Sequence, residues 1–394
     1  MARVATGLEV FVDSSQVIEP GWRVGLVCNQ ASVNSRYELA IDLFRHKFGK
    51  RLTTLFSPQH GLWGEEQANM IETPHATHTH WGISIYSLYS ETRRPTAEML
   101  DRIDCLVIDL QDVGTRVYTF IWTMLACMQA CAQAGKRVIV LDRPNPVGGS
   151  ISEGPMLADG YQSFVGNSSI PLRHGLTIAE LARLFQQRHT PELELVCVPM
   201  QGWRREMLFP DTGLPWVLPS PNMPRFETAV VYPGQVLLEG TNLSEGRGTT
   251  FPFEFIGAPF IDPWEWLDAL REFEFPGVHL RPVRFRPVFD KWHGQSCGGL
   301  QIHTNTPEEV RSVALSLTLI ATCSQLYPQS FQWLPPPYEY EYERPPIDIL
   351  TGSSAFRNQH STDALSLKEW IASFESTLID WSHQTAPYAI YPHS

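Results

Sequence analysis

The chain has 394 residues, 43% hydrophobic and 18% charged, so it is globular and long enough for two domains with sizeable cores. A net charge of −12 argues against nucleic acid or an anionic membrane as the main partner, while leaving room for a small anionic ligand held by local arginines. Seven cysteines without a Cys-x-x-Cys pair, and no legible signal peptide or membrane span, point to a cytoplasmic protein with reduced thiols.

Residues 1–20 read as an entry helix or a lead-in segment. Trp22 to Asn29 is a continuous apolar run, as expected for a strand covered on both faces. Helical spacing follows from Tyr37 to His46, then a second buried strand from Leu52 to Phe56. Pro58 stops that strand. The loop beyond it carries Gln59, His60, Gly61, Trp63, Gly64, Glu65 and Glu66. A strand ending in a Gly-rich loop with acids and a histidine is where an α/β sheet places its chemistry, although such acids are also common on ordinary loops.

Ile83 to Tyr89 reads as a short strand, Pro95 to Met99 opens a helix, and Cys105 to Leu110 is a third buried strand. Gln111 to Tyr118 follows, with Asp112 and Arg116 at i, i+4. A long apolar helix spans Thr119 to Ala134 and stops at Gly135. The next strand, Arg137 to Leu141, closes on Asp142-Arg143-Pro144-Asn145-Pro146. Strand and helix alternate, which predicts an α/β fold with a Rossmann-like, helix-covered parallel sheet. His60, Asp112, Arg116 and Asp142 then lie at the C-terminal ends of its strands, the ligand crevice of open sheets. No Gly-x-Gly-x-x-Gly or Gly-x-x-x-x-Gly-Lys-Ser/Thr follows a strand, so no cofactor is expected.

Leu176 to His189 has helical spacing, with Thr177 as N-cap and Glu180 at the capping-box position. Glu192 to Pro199 reads as a strand. Trp216 to Pro224 carries three prolines in nine residues and reads as a rigid extended crossing. The domain boundary is placed shortly after it, giving 1–229 and a smaller α+β domain over 230–394. Within the latter, Pro307 to Leu326 reads as a helix, and the Pro- and Tyr-rich stretch Trp333 to Pro346 as a surface excursion.

A second polar constellation runs from Leu238 to Glu254, where Glu239, Asn242, Glu245 and Arg247 stand among three glycines. Such a loop presents backbone N–H groups and one arginine to an anion or a sugar, or forms a polar turn. His75, His78 and His80 form a cluster without acids interleaved at a metal spacing, and read as solvated histidines.

Taken together these segments resemble the exo-β-N-acetylmuramidase (NamZ) family, glycoside hydrolase family 171. The resemblance rests on Pro58-Gln59-His60-Gly61, Asp109 to Gly114 with Arg116 and Tyr118-Thr119, and Asp142 to Pro146. It continues through Pro219 to Pro224 with Asn222, Glu239 to Thr249, and Pro346-Ile347-Asp348 to Gly352. It implies a Rossmann-like N-terminal domain, a smaller C-terminal domain, and a groove between them that releases N-acetylmuramic acid from the non-reducing end of peptidoglycan fragments. It also implies a catalytic glutamate from the first domain with a tyrosine nearby. Relatives commonly read Pro-Glu-His-Gly, whereas this chain carries Gln59. Glu65 and Glu66 are then the replacements on the same loop, with His60, Asp112 and Tyr118 completing the catalytic candidates. Gln59, Arg116, Arg143, Asn222, Asn242, Glu245 and Arg247 are the candidates for binding substrate.

The chemistry fits independently. Glycoside cleavage needs a proton donor for the leaving oxygen and a group that stabilises the oxocarbenium ion, and a 2-acetamido sugar can use its own amide. The lactyl carboxylate of muramic acid asks for a cation, for which Arg116, Arg143 and Arg247 are candidates. Two other readings stay open: a non-catalytic muropeptide- or sugar-binding protein on the same scaffold, and a metal-dependent hydrolase using His60 and the His75 cluster. No nucleic acid or membrane partner is expected.

Overall fold

The computed structural model describes residues 3–14, 17–68, 70–359 and 364–392. The first part of the chain runs α1 (Gly7–Ser14), β1 (Val24–Val27), α2 (Ala40–Phe48), β2 (Leu52–Ser57), β3 (Ala76–Thr77), β4 (Ser84–Ser87), α3 (Ala97–Leu100), β5 (Cys105–Ile108), α4 (Phe120–Gln133) and β6 (Arg137–Leu141). It continues with the hairpin β7 (Glu153–Met156) and β8 (Pro171–Arg173), then α5 (Ile178–His189) and β9 (Leu195–Val198). Seven of these strands form one sheet, in the order β3-β4-β2-β1-β5-β6-β9. Every neighbouring pair is parallel except the edge strand β3, which runs antiparallel to β4. The chain steps outward from β1 in one direction to β2 and in the other to β5, so strand order reverses beside β1. This is the Rossmann-like sheet expected from the alternating pattern.

The apolar runs are continuous because both faces are covered. Alternate side chains sort into two cores: Leu26, Val107 and Ile139 pack with Leu8, Phe11 and Phe44 of α1 and α2. Val27, Ile108 and Val140 point to the other face, against α4 and α5. The capping box at Thr177 forms, with Thr177 Oγ1 accepting from Glu180 N–H and the Glu180 carboxylate accepting from Thr177 N–H at 3.0 Å. Helix α4 stops at Gly135, whose φ of +61° is the left-handed conformation a C′ glycine supplies without strain.

The remainder contains α6 (Phe226–Gln235), β10 (Phe255–Ala258), α7 (Pro263–Ala269), β11 (Val278–Phe285), β12 (Cys297–Thr304), α8 (Ser312–Leu326), α9 (Pro346–Thr351), α10 (Ala355–Gln359), α11 (Ala364–Ala372) and α12 (Phe374–Thr385). Its strands form an antiparallel sheet, β10-β12-β11. Helix α6 runs straight through the position at which the sequence suggested a boundary and packs on α8. The approach is close: a Cβ on Gly234 would stand 1.8 Å from the Ser312 carbonyl oxygen. The α4 face of the large sheet, α6, α8 and the small sheet thus share one hydrophobic core.

Two expectations need correction. The helix expected from Pro307 begins at Ser312, after a 3-10 turn at Pro307–Glu309. The stretch from Trp333 to Pro346 does reach the surface, with Tyr342 67% exposed, but the turn within it points Glu339 inward, leaving that residue only 4% exposed. The histidine cluster belongs to the β3–β4 hairpin. His78 Nδ1 accepts from Trp81 N–H, and His75 Nδ1 accepts from Ser87 N–H. No group of three or more His, Cys, Asp or Glu among the described residues could hold a metal ion. No helix among them is long and apolar enough to cross a membrane.

Candidate active site

The loops that follow β2 and β5 meet loops from the second half of the chain around a cavity of about 40 Å³. Its wall includes Gln59, His60, Tyr118, Thr119, Ser220, Asn222, Tyr232, Glu239, Arg247, Tyr338 and Glu339. A larger cavity of about 420 Å³ lies between α8 and the C-terminal helices. Groups such as Leu317, Phe374 and Ile379 line it and none of the polar motifs reaches it, so size does not mark the site.

On the β2 side, His60 adopts φ +72° and is followed by Gly61 at +81°, turning the loop sharply after Pro58. His60 Nδ1 lies 2.6 Å from the Glu66 carbonyl oxygen. A carbonyl only accepts, so Nδ1 carries the proton, and Nε2 of the neutral ring keeps its lone pair. Burial, outweighing that hydrogen bond and helped by the nearby Arg247 charge, pushes the His60 pKa down to about 4. Asn222 exchanges two 3.0 Å hydrogen bonds with Gln67, tying the 220s crossing to this loop.

On the other side stands a network of charges. Arg247 donates to Glu239 at 2.6 Å and lies 3.2 Å from Glu245, which also accepts from Lys291 at 2.8 Å. Lys291 is fixed by the Leu238 and Leu243 carbonyls. Burial works against the Glu245 charge, but Lys291 and Arg247 outweigh it and hold its carboxyl below the usual range. Glu239 also accepts from Tyr338 Oη at 2.6 Å.

Between the two sides lies Glu339. Its Oε1 accepts from the Gln59 amide at 3.2 Å and its Oε2 from Tyr89 Oη at 2.8 Å. Gln59 in turn accepts from Thr119 Oγ1 at 2.7 Å. Burial pushes the Glu339 carboxyl up, and the neighbouring Glu239 charge adds to this, against the pull of the Tyr89 and Gln59 hydrogen bonds and Arg247. Burial likewise raises the Tyr118 phenol.

Of the residues expected at the site, Gln59, His60, Tyr118, Asn222 and Arg247 come together on the cavity wall, with Glu245 directly behind Arg247. The others are placed elsewhere, and each placement has a physical reason. Glu65 is exposed and Glu66 half-buried, and neither carboxylate lines the cavity; only the Glu66 backbone carbonyl contributes, by holding His60. Asp112 sits behind the wall, accepting from Gly114 N–H and from His174 Nε2 at 3.1 Å, as Leu176 N–H occupies His174 Nδ1. Arg116 is fully buried and donates to the Pro155, Ile170 and Leu350 carbonyls, so it is a structural strut and not an anion reader. Arg143 is committed to a bidentate pair with Asp109 at 2.6 and 2.7 Å. Asn242 pins the Ser330–Gln332 backbone.

The residues that sequence reasoning missed are Tyr89, Tyr338 and Glu339, while Glu239 was quoted in its loop without a role. The available signal was a glutamate framed by tyrosines, Tyr338-Glu339-Tyr340, in a stretch otherwise rich in proline.

The chain is similar to known proteins along nearly its whole length. Residues 24–227 match the model for the N-terminal part of the exo-β-N-acetylmuramidase NamZ, and residues 230–391 that for its C-terminal part. The peptidoglycan β-N-acetylmuramidase NamZ of Bacillus subtilis (strain 168) is 42% identical over 389 residues, covering 99% of this chain and 92% of that protein. A crystal structure of a DUF1343 family protein from Bacteroides fragilis NCTC 9343 superposes with a TM-score of 0.87 at 31% identity, covering 100% of both chains. A second from the same organism, at 23% identity and a TM-score of 0.76, shares the fold over 100% of both chains. With both halves matched in order along the chain, this protein belongs to the exo-β-N-acetylmuramidase NamZ family.

Proposed function

We infer that the chain is an exo-acting glycoside hydrolase releasing N-acetylmuramic acid from the non-reducing end of peptidoglycan fragments. The observation that carries this reading is the convergence of the family's segments from both halves on one cavity holding two buried carboxylates and an arginine. Glycoside hydrolysis asks for two carboxyl groups in unlike surroundings. Glu239 faces the Arg247 cation, while Glu339 faces neutral donors. On this reading the work is divided between a catalytic unit over residues 1–229 and a unit over 230–394 that completes the groove. Arg247 is the cation placed to read the lactyl carboxylate, His60 Nε2 and Asn222 supply polar contacts to the sugar, and Tyr118 flanks the reacting centre.

A cytoplasmic role in peptidoglycan turnover and cell-wall recycling accompanies the proposal. The seven unpaired cysteines support it, being at home in a reducing compartment. The test is incubation with a muramic-acid-terminated disaccharide and mass-spectrometric detection of free N-acetylmuramic acid. The binding-protein reading draws on Gln59, whose amide is occupied by Thr119 and Glu339. Thermal protection by the disaccharide without any product would favour it.

A further inference from the structure

We propose that Glu339, carried into the cavity by the Tyr338–Glu341 turn, is the proton donor to the departing sugar oxygen. This deepens the muramidase reading above and rests on it.

The argument begins at Gln59. An amide does not give up a proton at neutral pH, so the residue at the mouth of β2 is not itself the acid. It does something else: its N–H holds a carboxylic group from the far end of the chain, 280 positions away. The turn that delivers this group is built for placement. Tyr338 and Glu341 exchange reciprocal backbone hydrogen bonds of 2.9 Å. Glu339 and Tyr340 then take φ values of +44° and +67°, a conformation non-glycine residues adopt at a cost and which clusters at functional sites. Arg93 lies 4.4 Å from the Tyr89 ring centroid and 4.2 Å from that of Tyr340, clamping the turn against β4.

The surroundings suit an acid. Among the described residues Glu339 has no cation as a hydrogen-bond partner, whereas Glu239 bonds Arg247 directly. Burial and repulsion from Glu239 favour the protonated form of Glu339. The step balances. The C1–O bond breaks, its electron pair leaves with the glycosidic oxygen, and that oxygen takes the proton from Glu339. Water supplies the hydroxyl that finally stands at C1, and its remaining proton restores Glu339. Tyr89 and Gln59 are positioning residues for this group.

The experiment compares Glu339→Gln with wild type on two substrates. One is a muramyl disaccharide, whose sugar leaving group needs protonation; the other is a 2,4-dinitrophenyl N-acetylmuramide, whose leaving group does not. The expected result is a loss of at least ~100-fold on the disaccharide but under ~10-fold on the aryl glycoside, with the basic limb of the pH profile removed. A second variant, Tyr89→Phe, removes a donor that favours the carboxylate. It should move the basic limb to higher pH while the protein stays folded. Equal losses on both substrates, or an unmoved limb in Tyr89→Phe, overturn the assignment. Wild-type protein that cleaves neither substrate sinks the muramidase reading itself, a separate outcome.

Discussion

Asp142 and Tyr391, 249 positions apart in the chain, share a 2.6 Å hydrogen bond in the interior. The aspartate at the end of β6 was a candidate for the ligand crevice. It instead accepts from Thr177 Oγ1 and Ala179 N–H at the start of α5, and the C-terminal segment closes over it. Burial pushes its pKa up to about 7, while Tyr391, Ala179 and Thr177 pull the other way.

This pair makes stability depend on pH with a defined sign. Between about pH 4 and 7 the folded state keeps a proton that the unfolded aspartate has lost, so this group's contribution is full at low pH and declines as pH rises through 7. Tyr391 favours the ionised carboxylate. Tyr391→Phe should therefore cost about 1–3 kcal/mol above pH 7 and less at pH 5. Unfolding curves at pH 5 and pH 8 check this, and the same penalty at both would contradict it.

His60 should contribute no titration near neutrality. With its pKa held near 4 and Nδ1–H given to Glu66, the ring is neutral from pH 5 upward. We expect His60→Gln to lower kcat/KM by about tenfold, the equivalent of one hydrogen bond, while leaving the shape of the pH profile between 5 and 8 intact. Loss of an inflection in that range would show that the imidazole itself titrates in the reaction.

The arginines should separate cleanly. Arg116→Met removes three hydrogen bonds to buried carbonyls and should lower stability by about 3 kcal/mol or more, with kcat/KM of the folded protein preserved. Arg247→Met leaves Glu239 and Glu245 without their shared cation, costing about 3–5 kcal/mol. We expect the wild type to prefer N-acetylmuramides over N-acetylglucosaminides by about ten- to a hundredfold, and Arg247→Lys, which keeps the charge but loses the fork, to shrink that preference. Unchanged selectivity in Arg247→Lys would mean that another group reads the lactyl side chain.

The opening-loop acids should prove dispensable. Glu65 is exposed and Glu66 half-buried, so Glu65→Gln and Glu66→Gln should each stay within about threefold of wild-type activity, as for an ordinary surface change. A hundredfold loss in either would return the acid to this loop.

What was legible in the sequence follows from what periodicity encodes. Cys105 to Ile108 and Arg137 to Leu141 announce buried strands because covering both faces leaves no polar side to alternate. Thr177 and Glu180 announce a helix start because the capping box is local. The site was harder because its contacts are long-range. Arg116 and Arg143 sit among motif residues, yet their positions at strand ends say nothing of the carbonyls and the Asp109 carboxylate that occupy them. Tyr338 and Glu339 look like surface residues by composition. Glu339 is buried and Tyr338 half-buried only because Glu239, Gln59 and Tyr89 wait far away in the chain to satisfy them.

The cavity of about 40 Å³ has a kinetic consequence. That space takes roughly one or two waters, whereas sites that enclose a drug-sized ligand run to about 300 Å³ or more. An amino sugar held wholly inside it would need part of the wall to give way on entry and on exit. Any such movement would give turnover a gate with its own rate, set by side chains remote from the scissile bond.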